Sequence, residues 1–209
     1  MKNFMISLWM LFGLMLERFM VGFGLIKCID LYDIEFASGQ DNTGGMTQTF
    51  YFAYAEDILT WPTYKSKALA ADQDELMNYE GNFIMKPGKK FYKGYCSQDT
   101  GEVRWEAQGP FDGKSFKHMF EIFRPSADAK TLGFLDMVKN ANMVFIARDR
   151  DGNWRVVGSE FMSAKLESGS GTTGKTAEDA KGDTMVFSTS LESPPKFYPG
   201  TIPLTEASS

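Results

Sequence analysis

The chain has 209 residues, 43% of them hydrophobic and 14% aromatic, which is enough for one large domain with a real core. Its net charge of −5 argues against a protein that binds nucleic acid by neutralising phosphates. One histidine (His118) and two cysteines (Cys28, Cys96) leave too few ligands for a Cys/His zinc site within one chain.

Residues 1–27 differ from the rest. Phe4 to Leu16 is apolar, Glu17-Arg18 interrupts the run, and Phe19 to Ile26 resumes it. Neither piece reaches the roughly 20 residues that span a bilayer, so no stable membrane span is expected. Three readings stand: a signal or lipoprotein leader, although Lys27 makes a poor lipobox before Cys28; translation starting later, for instance at Met20; or a structural element. Residues 28–209 are expected to form a single β-rich domain.

The body reads as a succession of strands. Gly44-Gly45 is a turn, and Met46 to Tyr54 alternates with Phe50, Phe52 and Tyr54 on one face. Lys65 to Tyr79 is polar, a loose helix or a long loop, and its Asp72, Asp74 and Glu75 read as solvated. Asn82 to Met85 and Lys90 to Tyr95 flank a Pro87-Gly88 turn, and Val103 to Ala107 alternates. In Lys114 to Phe123 the residues Phe116, His118, Phe120 and Ile122 share a face, and His118 is expected to point to solvent as an ordinary strand residue.

Ser126 to Glu160 is the organising unit. Ser126-Ala127-Asp128 signals a helix start with a side-chain oxygen placed to cap it, Leu132, Leu135, Met137 and Val138 recur at roughly helical spacing, and Lys139-Asn140 ends the helix. Met143 to Ala147 and Trp154 to Gly158 then form a hairpin about Asp151-Gly152. Asp149, Asp151 and Asn153 are spaced like the start of a calcium loop, but the later ligands do not follow, and a hairpin tip is the better reading. Ser163 to Glu167 and Met185 to Ser190 are further strands, and Pro194 to Pro203 is an extended tail. Trp61, Trp105 and Trp154 are read as packing residues.

Gly169 to Thr176 matches the phosphate-cradling G-x-x-x-x-G-K-[ST] loop. That chemistry needs a buried strand before the loop and an amphipathic helix after it. Ala177 to Asp183 is polar and meets Gly182 within two turns, so a flexible loop between strands is expected. The residues assign no catalytic, cofactor or metal site, and no enzyme activity is expected.

Together, the Gly44-to-Tyr54 strand, the Ser115-to-Phe123 strand, the helix, the Val144-to-Gly158 hairpin, the Ser168-to-Gly174 loop, the Thr184-to-Thr189 strand and the tail through Lys196-Phe197-Tyr198 form an ordered set. The set resembles the phage tail tube-like proteins of Bacteroidetes phages and prophages, in which an Asp-x-Asn/Asp-Gly hairpin precedes a Gly/Thr loop and a closing strand. The resemblance implies a mainly β, sandwich- or barrel-type fold with one flanking helix. It further implies a virion protein assembled in the host cytoplasm. Its copies would close into hexameric rings that stack into a tube, meeting other tail proteins and passing DNA as cargo. The leader departs from this pattern and sustains an alternative, an exported or lipid-anchored surface protein.

Overall fold

The computed structural model describes residues 43–207 and, before them, 31, 33–36, 38 and 39. The leader, Met20 and Cys28 lie outside the described residues. The described chain forms two compact units. The smaller contains residues 64–76, where Lys65 pairs with Glu75 at 2.7 Å. Glu75 also accepts the Ala71 N–H, and Asp72 accepts the Glu75 N–H, both at 2.8 Å. These carboxylates hold a turn.

The larger unit carries the strands β1 (Met46–Tyr54), β2 (Ile58–Thr60), β3 (Thr63–Tyr64, at its boundary), β4 (Tyr79–Glu80), β5 (Ile84–Met85), β6 (Tyr92–Tyr95), β7 (Glu102–Gln108) and β8 (Ser115–Pro125). Helix α1 (Ala129–Val138) follows, then β9 (Met143–Asp149), β10 (Trp154–Val157), β11 (Lys165–Thr172) and β12 (Gly182–Leu191). Two antiparallel four-stranded sheets form a β-sandwich, one ordered β10-β9-β1-β6 and the other β11-β12-β8-β7.

Side chains alternate across a strand, so each sheet presents one set inward. Phe50, Phe145, Ala147 and Val157 of the first sheet meet Phe120, Ile122, Met185 and Phe187 of the second. Phe145 lies 4.5 Å from Phe187 and 4.8 Å from Phe120, centroid to centroid, and Phe50 meets Phe120 edge-on at 5.1 Å. Opposite Phe50, β6 must carry glycine: a Cβ on Gly94 would sit 2.3 Å from the Phe50 ring.

Strand β9 is buried on both faces. Val144 and Ile146 point away from the sandwich into a second cluster with Tyr79, Phe83, Phe91 and Tyr198. That double burial is why its sequence is continuously apolar instead of alternating. The C-terminal tail closes this layer. Val156 N–H donates to Lys196 O, Tyr198 N–H to Trp154 O and Phe91 N–H to Pro203 O, at 2.9–3.1 Å. The Tyr198 hydroxyl donates to Thr201 O at 2.8 Å and accepts from Phe83 N–H at 3.2 Å.

Helix α1 starts just after residues 126–128, and the cap among them is Asp128, which accepts the Thr131 N–H at 2.7 Å. Its packed face differs from expectation. Leu132 and Met137 are 49% and 67% exposed, whereas Thr131 and Val138 are buried and Phe134 and Leu135 pack against the core. The buried positions fall at i, i+3, i+4 and i+7, a cleaner helical stripe than the leucine spacing. Phe134 meets Phe52 edge-on at 5.1 Å. No helix among the described residues is long and apolar enough to cross a membrane.

Replacing Phe145 with Ala empties the centre of three ring contacts and is expected to cost about 3–5 kcal/mol in urea unfolding. Asp128→Ala is expected to cost about 1 kcal/mol by the same measurement, through the lost cap.

Candidate functional site

The phosphate-loop match is resolved by its backbone. Gly169 to Thr172 belong to β11 and pair with Met185 to Gly182 of β12, so the first half of the expected flexible loop is strand. Beyond it, the N–H groups of Lys175 and Thr176 both donate to Asp179 Oδ2, at 2.7 and 2.8 Å. These two bonds hold the Asp179 carboxyl below its ordinary range. The amides that a phosphate would need are turned onto an acidic side chain of the same turn, and the chain returns directly into β12. The segment is a hairpin connection.

Asp149, Asp151 and Asn153 form the tip of the β9–β10 hairpin. Asp149 N–H donates to Asn153 O at 2.8 Å, Gly152 N–H donates back to Asp149 O at 3.0 Å, and Gly152 has the positive φ (101°) such turns require. Arg155 Nε donates to Asp149 Oδ2 at 2.5 Å. Burial pushes the Asp149 carboxyl up, and the Arg155 pairing offsets only part of that. The Arg155 guanidinium lies over Trp105 at 5.0 Å and Phe197 at 4.4 Å, so one cation ties the hairpin to β7 and to the tail. Trp105 itself is 41% exposed, whereas Trp61, edge-on to Phe83 at 5.4 Å, and Trp154, against Tyr51 at 5.4 Å, pack as expected. Among the described residues no three His, Cys, Asp or Glu side chains are grouped to hold a metal ion. Cys96 is free and buried, and burial raises its thiol pKa.

His118 corrects the expectation of a solvent-facing residue. It is 1% exposed and lies opposite Thr189, with its Nε2 at 2.7 Å from Ser193 O. That contact requires the Nε2–H tautomer, leaving Nδ1 buried without a partner among the described residues. Burial lowers its pKa, only partly countered by the Ser193 carbonyl. The face it shares with Phe120 and Ile122 is the one that the first sheet covers.

What remains open on the larger unit is its edges and ends. The β10 edge is occupied by the tail, while β7 and β11, the two edges of the second sheet, have no further strand beside them among the described residues. The outer face of this sheet is polar. Glu102, Arg104 and Glu106 alternate outward on β7, and Lys117 of β8 reaches Glu167 at 2.6 Å. That bond is the main cause lowering the Glu167 pKa, with Ser188 adding to it.

The two ends of the sandwich differ. At one, a cleft of about 880 Å³ is lined by Gly44, Gly45, Asp99, Glu102, Asp149 and Arg155 among others. At the other, a groove of about 710 Å³ is lined by Ile58, Trp61, Phe161 and Met162, with Glu160 and Lys165 on its rim. Neither a protein-family model nor any curated protein or solved structure matches this chain.

The burial of His118 generates a pH signature. Its folded pKa lies below the ordinary 6.5, so as pH falls the unfolded chain takes up this proton first. Its contribution to stability is complete above about pH 6.5 and declines below that value. Comparing pH–stability curves from urea unfolding, a His118→Gln variant is expected to lack this part of the acid-side decline.

Proposed function

We propose that this chain is a structural subunit of the phage tail-tube kind, working by self-assembly through the two edges of its second sheet. The observation that carries the reading is the direction of those edges. An antiparallel sheet with an even number of strands has edges that run oppositely. Copies related by rotation therefore join β11 of one to β7 of the next as an antiparallel pair. The alternation continues without a defect, and a closed ring leaves no edge.

The lengths support this. β7 has seven residues and β11 eight, against four for β6 at the free edge of the first sheet. Soluble proteins normally shorten or cover such edges. The contact is heterologous, the type that generates rings when its rotation closes. A hexameric ring, as the resemblance implies, encloses an aqueous channel.

The polar outer face of the second sheet suits the wall of that channel. Two of its cations are engaged by carboxylates, Lys117 with Glu167 at 2.6 Å and Arg104 with Glu102 at 3.7 Å, which reduces the positive charge offered to a passing DNA backbone. In this reading the chain carries out no chemistry. Its partners are copies of itself and other tail proteins, and its place is the virion.

The test is negative-stain electron microscopy of the purified full chain beside a mass measurement in solution. Rings or tubes with a central channel are expected. A Ser168→Lys/Ser170→Lys variant, altered at exposed positions of β11, is expected to stay folded and shift to monomer. A wild-type protein that remains monomeric up to its solubility limit overturns the reading.

A further inference from the structure

We infer that the β7–β8 hairpin tip, Pro110–Lys114, is a docking element that seats in the Phe161 groove of a second copy. The inference rests on the edge-paired assembly proposed above.

Phe111 is 93% exposed, yet its turn is tightly built. Gly113 N–H donates to Pro110 O at 3.3 Å, Lys114 Nζ donates to Gly109 O at 2.6 Å, and Lys114 Nζ lies 5.7 Å from the Phe111 ring centroid. Gly109 is required: its φ is +94°, and a Cβ there would sit 2.5 Å from Gly113 O. The turn thus holds a large ring in water. With its backbone already fixed, the turn has only the ring's own torsions to order on docking, which favours it as an interface anchor.

The groove is equally set. Phe161 is 89% exposed, but Ser159 N–H donates to Met162 O, the Thr189 hydroxyl donates to the same oxygen, both at 2.9 Å, and Ala164 pairs with Met143. Its lining is mixed: Ile58, Trp61, Phe161 and Met162 form an apolar patch, and Glu56, Lys86, Glu160, Lys165 and residues 188–190 of β12 surround it.

Strand direction identifies the occupant. The tip follows Gln108 at the end of β7, and the groove precedes Lys165 at the start of β11. β7 and β11 lie on opposite edges of one sheet, with these two termini at the same end. Antiparallel joining of β7 to a neighbour's β11 therefore brings Phe111 level with that neighbour's Phe161 and Met162. The charges match, Asp112 and Lys114 on the tip facing Lys165 and Glu160 on the rim. Phe111, Phe161 and Met162 (52% exposed) together expose on the order of 450 Å². Summed over the two partners, that is about a quarter of the roughly 1,600 Å² total of a stable interface, and the paired edges supply the rest.

The experiment places a photo-crosslinking benzophenone amino acid at position 111 of the full chain. Isotopically light and heavy copies are mixed, assembled and irradiated, and the linked peptides are mapped by mass spectrometry. Light–heavy crosslinks to residues 58–61 or 159–165 are expected. Phe111→Asp is expected to raise the concentration needed for assembly about tenfold or more, with Phe111→Trp close to wild type and both variants melting like the parent. Assemblies that form with position 111 crosslinked elsewhere, or that tolerate Phe111→Asp, overturn the docking while leaving edge pairing intact. Failure of the wild-type chain to assemble overturns both.

Discussion

The structure depends on the burial of β9 from both sides. Met143, Phe145 and Ala147 face the second sheet while Val144 and Ile146 face the tail layer, all at 1% exposure or less. A strand in that position needs two covers, and neither is sufficient alone. The second sheet gives one, and the segments around Phe83, Phe91 and Tyr198 give the other. Each fully buried aliphatic or aromatic side chain contributes roughly 1.5–3 kcal/mol relative to exposure, which offsets the entropy of ordering a long, Pro-containing tail. The tail's backbone bonds to the β10 strand then close one edge of the first sheet at the same time.

The same arrangement explains why the polar groups sit where they do. Inside the sandwich the core is almost wholly aromatic and aliphatic, and the buried polar side chains gather toward strand ends and the helix start. His118, Arg124, Thr131 and Asp183 each keep one buried atom without a partner among the described residues. A group left so costs about 1–3 kcal/mol, so these positions are where the fold is least satisfied. Arg155 shows the opposite economy: two rings and a carboxylate enclose it, and through it the hairpin, β7 and the tail act as one body.

With the β10 edge of one sheet occupied by the tail, the long open edges fall on the other sheet. Its edges run in opposite directions, its outer face is polar, and its two turn-borne phenylalanines stand at one end, away from the carboxylate-lined cleft at the other. The asymmetry between ends and the opposed edges are the features on which the proposed assembly rests.

Much of this was legible in the residues, because it is local. The strands of the body, the Asp128 cap and the Asp151-Gly152 hairpin follow from alternation, capping chemistry and the need for positive φ. So did the rejection of the Gly169-to-Thr176 match, since a phosphate loop needs a following helix that the composition forbids. Other features were set only by packing. Whether His118 faced core or water depended on which side of β8 the first sheet covered. Which stripe of α1 was buried depended on Phe52 standing opposite Phe134. The strand character of Gly169 to Thr172 depended on β12 lying alongside, because glycine and serine have little strand preference of their own. Sequence determines what each segment can form from its own torsions and side-chain periodicity. Tertiary structure decided which face is buried and which edge is left open, because those depend on contacts between residues far apart in the chain.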